Sequence, residues 1–160
     1  MSLSSPTSEQ KAYAKCLRLL SSRDHSRAEL ERRLTADGYD CHIREQVLGK
    51  LTRTGLVNDT HFAQEWVETR RRRSGKTGIV LAQELRAKGI DEDLITEAIE
   101  TDVDSERARA CQLVEKYFPK GSFPDHMKLT RRLVGMLVRR GYSPSLAYEV
   151  VHQRLHADHQ

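Results

Sequence analysis

Apolar and polar positions along this chain follow one pattern three times: leucine, three residues, leucine, three residues, glycine, one apolar residue, then a polar residue suited to start a helix. The copies are Leu30/Leu34/Gly38/Tyr39/Asp40, Leu81/Leu85/Gly89/Ile90/Asp91 and Leu133/Leu137/Gly141/Tyr142/Ser143, with glycines 51 and 52 residues apart. Leucines four apart share one helical face, and a glycine four residues later takes the left-handed position that closes a helix without a Cβ penalty. In that frame Leu34, Leu85 and Leu137 face Tyr39, Ile90 and Tyr142, the pair that meets in a Schellman cap. Asp40, Asp91 and Ser143 are then N-caps, and Pro144 fits a first helical position, where a missing N–H costs nothing.

Beyond each cap the apolar positions coincide again, at Ile43/Val47/Leu48, Leu94/Ala98/Ile99 and Leu146/Val150/Val151. Upstream of each copy runs another amphipathic stretch: Tyr13/Leu17/Leu20, Phe62/Trp66/Val67 and Ala110/Val114/Tyr117. Each unit therefore predicts three helices, in repeats over residues 8–55, 56–102 and 103–157. Units of about fifty residues bury little surface alone, so neighbours must share core. The expected fold is all-α, an elongated and curved array of three tandem three-helix repeats.

Composition adds solubility: 31% of the 160 residues are charged and the mean hydropathy is −0.66. No apolar run approaches the roughly 20 residues that span a bilayer, and Met1–Thr7 has no apolar leader core, which predicts a cytoplasmic protein without membrane contact. Cys16, Cys41 and Cys111 are odd in number and fall in helical stripes, which reads as packed thiols.

Motifs of catalysis or ligand binding are weak. Ser74-Gly75-Lys76-Thr77-Gly78 ends like a phosphate loop, but Arg70 stands where the leading glycine belongs and the preceding segment is helical. Gly75 as a helix stop and Thr77 as the next cap explain it better. Asp91-Glu92-Asp93 opens like a calcium loop, yet Ile95 and Thr96 replace a ligand and the turn glycine. His152, His156 and His159 fall at i, i+4 and i+7, a spacing able to gather a metal, although near a chain end and without a fixed carboxylate. The expectation is no enzyme, no cofactor and no metal.

Charge is more informative. Lys and Arg against Asp and Glu number 10 and 8 over residues 1–63, 7 and 3 over 64–90, 0 and 8 over 91–106, and 10 and 4 over 107–160. Arg70, Arg71, Arg72 and Arg73, then Lys76, Arg86 and Lys88, form the densest cationic stretch. Arginines in a last turn complement the helix dipole, but four in a row exceed that need and wrap the helix end. Arg131, Arg132, Arg139 and Arg140 add two pairs flanking the Leu133/Leu137 stripe. These residues are the candidate binding surface for an anionic partner, phosphate or acidic protein.

Gly55-Leu56-Val57-Asn58-Asp59-Thr60-His61-Phe62-Ala63, followed by Gly78-Ile79-Val80-Leu81-Ala82-Gln83-Glu84-Leu85-Arg86-Ala87-Lys88-Gly89-Ile90, resembles the signature of the bacterial regulatory RecX family. The resemblance extends over about residues 9–156, including Ala12–Leu20 and Ser26–Leu34. It implies tandem three-helix repeats that bind the RecA recombinase filament on single-stranded DNA, in its groove or at its growing end. There they restrain ATP hydrolysis, strand exchange and co-protease activity, in recombination, DNA repair and the SOS response. A monomer touching single- or double-stranded DNA as a further partner fits this reading. A basic helical protein that binds DNA without RecA is the alternative.

Overall fold

The glycine-punctuated pattern becomes nine helices and no strand among the residues that the computed structural model describes, 4–100 and 103–157. These are α1 (Ser8–Ser22), α2 (Arg27–Ala36), α3 (Cys41–Arg53), α4 (Asp59–Ser74), α5 (Gly78–Ala87), α6 (Glu92–Ile99), α7 (Val103–Tyr117), α8 (His126–Arg139) and α9 (Pro144–Ala157). All three Schellman caps form. The N–H groups of Tyr39, Ile90 and Tyr142 donate to the carbonyls of Leu34, Leu85 and Leu137 at 3.1 Å each. Gly38, Gly89 and Gly141 hold φ of 85°, 74° and 96°, so each repeat ends its second helix on a left-handed glycine. Asp40 then caps α3 by accepting from the Ile43 N–H at 2.9 Å, and Ser143 caps α9 by accepting from Leu146 at 3.2 Å.

The chain divides into two compact units, one of Met1–Trp66 with Glu84–Ala98 and one of Val67–Gln83 with Ile99–Gln160. Helices α4, α5 and α6 thus give residues to both. In the first unit α1 and α2 pack on α3 around Ala12, Cys16, Leu30, Leu34, Val47, Leu48 and Leu51. The buried face of α1 is centred on Ala12 and Cys16, which corrects the predicted Tyr13/Leu17/Leu20 stripe: Leu17, one position round from Cys16, is 38% exposed. Only Cys16 is a packed thiol, with burial pushing its pKa to about 11, whereas Cys41 and Cys111 are exposed, against the expectation for all three. In the second unit α8 and α9 pack on each other and on α7, with Leu129, Leu133, Leu137, Val150 and Val151 at the centre.

One joint is built twice. In the first unit Ser26, the N-cap of α2, is fully buried and donates its hydroxyl to the Lys88 carbonyl at 2.6 Å, and Arg32 donates to the Ala87 carbonyl at 3.1 Å. In the second unit the N–H of Thr77, ahead of α5, donates to the Arg140 carbonyl at 3.0 Å. Ser26 and Thr77 lie 51 residues apart, Lys88 and Arg140 lie 52 apart, so equivalent positions of successive repeats meet. Close approach demands glycine here: a methyl on Gly89 would run into Ala28, and one on Gly141 into Thr77 and Val80, while Gly38 faces open space. The Thr77 hydroxyl is buried against this contact without a hydrogen-bond partner. Thr77 therefore occupies the predicted cap position through its backbone, with the Leu81 N–H on its carbonyl, and not through its side chain.

Candidate partner-binding surface

A helix C-terminus leaves its last carbonyls without intrahelical donors, so cations and hydroxyls gather there. At the end of α4 these donors come from the residues just after α8. Arg140 donates from Nε to the Ser74 carbonyl at 2.8 Å, and the buried Tyr142 hydroxyl donates to the Gly75 carbonyl at 2.7 Å. Burial pushes the Tyr142 phenol up, against the lowering influence of the Arg109 charge. The Arg140 guanidinium also lies 5.2 Å from the Tyr117 ring centre. These contacts bring the C-terminal ends of α4 and α8 together. With them come Arg70–Arg73, Lys76, Arg139 and Arg140, which sequence spacing alone leaves some sixty residues apart.

Within that gathering the arginines divide by role. Arg71 is half-buried and donates from Nη2 to the Ile99 carbonyl at 3.0 Å, and its pKa is depressed first by burial and then by the like charge of Arg109. Arg70 and Lys76 are half-buried. Arg72 is exposed and meets Glu68, one turn earlier, at 3.4 Å. Arg73, Arg131, Arg132 and Arg139 are exposed and form no salt bridge among the described residues. Arg132 and Arg139, seven positions apart, share a face of α8. Elsewhere in this unit Arg107 meets Glu149 at 2.8 Å and Arg154 meets Glu115 at 2.6 Å. The Arg107 hydrogen bond holds the Glu149 carboxyl below its usual range.

The two remaining predicted residues belong to the other unit, and both have carboxylate partners. Arg86 forks onto Glu92, an exposed pair in which the hydrogen bond raises the arginine and lowers the carboxyl. Lys88 lies 3.5 Å from Glu29 and 5.3 Å from the Trp66 ring centre, while the Trp66 indole N–H donates to Glu84 at 2.9 Å. Burial works against the Glu29 charge, but the Arg23 hydrogen bond and the nearby charges of Lys88, Arg23 and His25 outweigh it and lower its pKa.

Sorting residues by unit sharpens the contrast. The first unit has 12 Lys and Arg against 14 Asp and Glu, a net of −2; the second has 15 against 9, a net of +6. The basic run Arg70–Lys76 falls in the second unit; of the acidic run, Asp91, Glu92, Asp93 and Glu97 fall in the first unit and Glu100, Asp104 and Glu106 in the second, while Asp102 lies outside the described residues.

Sequence reasoning missed two features of the second unit. Arg109 on α7 stands by Arg71 as a second partly buried cation, with nothing in its local pattern to distinguish it from an ordinary exposed arginine. A groove of about 420 Å³ also opens between α8 and α9, lined by His126, Met127, Arg131, Tyr148, His152 and His156 among others. Met127 and Tyr148 are 70% and 56% exposed, the one available signal being apolar residues on otherwise polar faces. The loop-like run Ser74–Gly78 is the α4–α5 connection, and Asp91–Asp93 opens α6. No described helix is long and apolar enough to cross a membrane.

Comparison with known proteins places this arrangement. Profiles of the first, second and third three-helix domains of RecX match residues 12–51, 58–99 and 104–151. The chain belongs to the RecX family. The regulatory protein RecX of Mycobacterium avium (strain 104) is 46% identical over 99% of this chain and 93% of its own. That of Mycolicibacterium smegmatis is 46% identical over 91% of this chain and 80% of its own. Among solved structures, RecX from Lactobacillus salivarius superposes with a TM-score of 0.75 at 23% identity, over 91% of this chain and 95% of that one, which shows the shared fold. A second regulatory protein RecX superposes with a TM-score of 0.70 at 25% identity, over 91% of this chain and 71% of that one. The RecX name is that of a regulatory protein, so the chain has a regulatory role within an all-α architecture of three three-helix domains.

Proposed function

We propose that this protein binds the RecA filament on single-stranded DNA and limits its growth, ATP hydrolysis, strand exchange and co-protease activity. The observation that supports this reading is the net charge of +6 on the second unit, with Arg73, Arg131, Arg132 and Arg139 exposed and in no salt bridge among the described residues, in a RecX-family chain. A filament repeats its anionic surfaces at every protomer, so a surface carrying several separated arginines gains avidity from it that a free subunit does not offer. Arg72, Arg73, Arg131, Arg132 and Arg139 make direct contact with the filament, while Arg71 and Arg140 hold the helix ends that present them. Arg86 and Lys88 are secondary, because Glu92 and Glu29 already neutralise them. The protein acts as a cytoplasmic monomer and without a cofactor.

The test is RecA ATP hydrolysis on single-stranded DNA titrated with this protein. Inhibition well below one copy per RecA indicates capping of the growing end, and inhibition near equal amounts indicates occupation of the groove. No inhibition at any ratio rejects the reading. A parallel titration of bare and RecA-coated strand separates it from plain DNA binding, the alternative that the net charge of +6 on the second unit also favours. Equal affinity for both substrates would select that alternative.

A further inference from the structure

The His152 and His156 side chains stand one turn apart on α9, both exposed, with their Nε2 atoms 2.9 Å from each other and ring centres 4.2 Å apart. Two ring nitrogens that close share one proton, one donating and the other accepting, so the pair brings two imidazole nitrogens within reach of a single ion, both offering lone pairs once the shared proton moves to Nδ1 of the donating ring. We propose that this pair is a chelating site for a divalent transition-metal ion of the copper(II) or nickel(II) class.

Metal–imidazole bonds of about 2.0–2.1 Å whose nitrogens lie 2.9 Å apart subtend an angle of about 90° at the ion. That is the cis angle of tetragonal or octahedral coordination, which suits copper and nickel with nitrogen ligands; a tetrahedral zinc would need the nitrogens spread to about 3.4 Å. Occupation requires both rings to carry their remaining proton on Nδ1, a tautomer change in the donating ring and no net release from two neutral imidazoles. Both χ2 torsions are broad and the rings exposed, so aiming the two lone pairs at one point needs no backbone movement. Among the described residues no three His, Cys, Asp or Glu side chains are placed around one point. The described residues therefore supply two ligands, with the groove lined by His126 and Tyr148 beside them; His159, the third histidine of the spacing, lies outside the described residues.

Such an ion ties the last two turns of α9, whose Val150, Val151 and Leu155 fill the second unit's core. The expected consequence is stabilisation by mass action, independent of RecA and of the arginine surface. Copper(II) chloride or nickel(II) chloride titrated into the full chain should raise Tm saturably, with one ion per chain by calorimetry. His152→Gln and His156→Gln should each lower the affinity at least tenfold, while His42→Gln, an exposed histidine of the first unit, should leave it unchanged. Copper electron paramagnetic resonance should show two coordinated nitrogens in the wild type and one in either variant. Absence of a metal-dependent shift in the wild type, or wild-type affinity in either His152→Gln or His156→Gln, overturns the site. Either variant failing to fold is detected by its metal-free melt, and the other then decides.

Discussion

The same joint serves both units, yet its two copies leave opposite surfaces. In the first, Ser26 and Arg32 bind the carbonyls of Lys88 and Ala87, and the nearby cations Arg23 and Lys88 converge on Glu29, so charge is consumed where the repeats meet. In the second, Thr77 binds the Arg140 carbonyl while Arg140 and Tyr142 serve the carbonyls of Ser74 and Gly75. A carbonyl satisfies a donor without cancelling its charge. One repeated mechanical element is therefore compatible with a near-neutral unit and a strongly cationic one, the difference lying mainly in the carboxylates each unit carries, 14 against 9.

The largest test of the shared joint is at its glycines. Gly89→Ala and Gly141→Ala should each destabilise by about 2–5 kcal/mol, the left-handed backbone costing about 1–2 and the overpacking about 1–3. Gly38→Ala, with the same backbone but open space, should cost only the first part, about 1–2 kcal/mol. Urea unfolding of the three full-length variants measures this, and equal losses would mean that the joint is not a close contact. Next comes Tyr142→Phe, which leaves the Gly75 carbonyl buried and unbonded and should cost about 1–3 kcal/mol in the second unit alone.

The charge contrast is probed by matched triple variants. Arg72→Gln, Arg73→Gln and Arg139→Gln together should weaken filament binding about tenfold or more and flatten its salt dependence. Arg18→Gln, Arg33→Gln and Arg53→Gln, exposed on the first unit, should change neither. Identical losses in the two sets would make binding a matter of total charge and remove the surface from the mechanism.

The smallest effect is at Glu29. Its carboxyl is held below the ordinary 4.5 in the folded chain, so its contribution is complete above that value and is lost as pH falls below it toward the folded pKa. Glu29→Gln should therefore cost below about 1 kcal/mol at neutral pH and make the acid limb of the stability profile shallower; an unaltered limb would show that the ion pairs contribute nothing.

Much of this molecule was readable residue by residue. The Leu34–Tyr39, Leu85–Ile90 and Leu137–Tyr142 caps follow from spacing because donor and acceptor lie five residues apart, and the helix starts at Asp40 and Ser143 follow likewise. The α1 stripe was misplaced at Leu17 because Ala12 and Cys16 are small, and small residues announce a close-packed face less loudly than leucines do. The candidate arginines were visible as types and not as roles: nothing near Arg71 or Arg140 in the chain reveals that one holds Ile99 and the other Ser74.

Local order, then, belongs to the chain alone: which residues are helical, where each helix stops, and that the plan repeats. Tertiary structure decided the rest. It alone pairs Ser26 with Lys88, 62 residues away, divides the acidic run between the two units while keeping Arg70–Lys76 in one, and determines which arginines are spent on carbonyls. The reason is range: a helix cap is closed by atoms within one turn, whereas a surface charge is set by which distant groups fold against it.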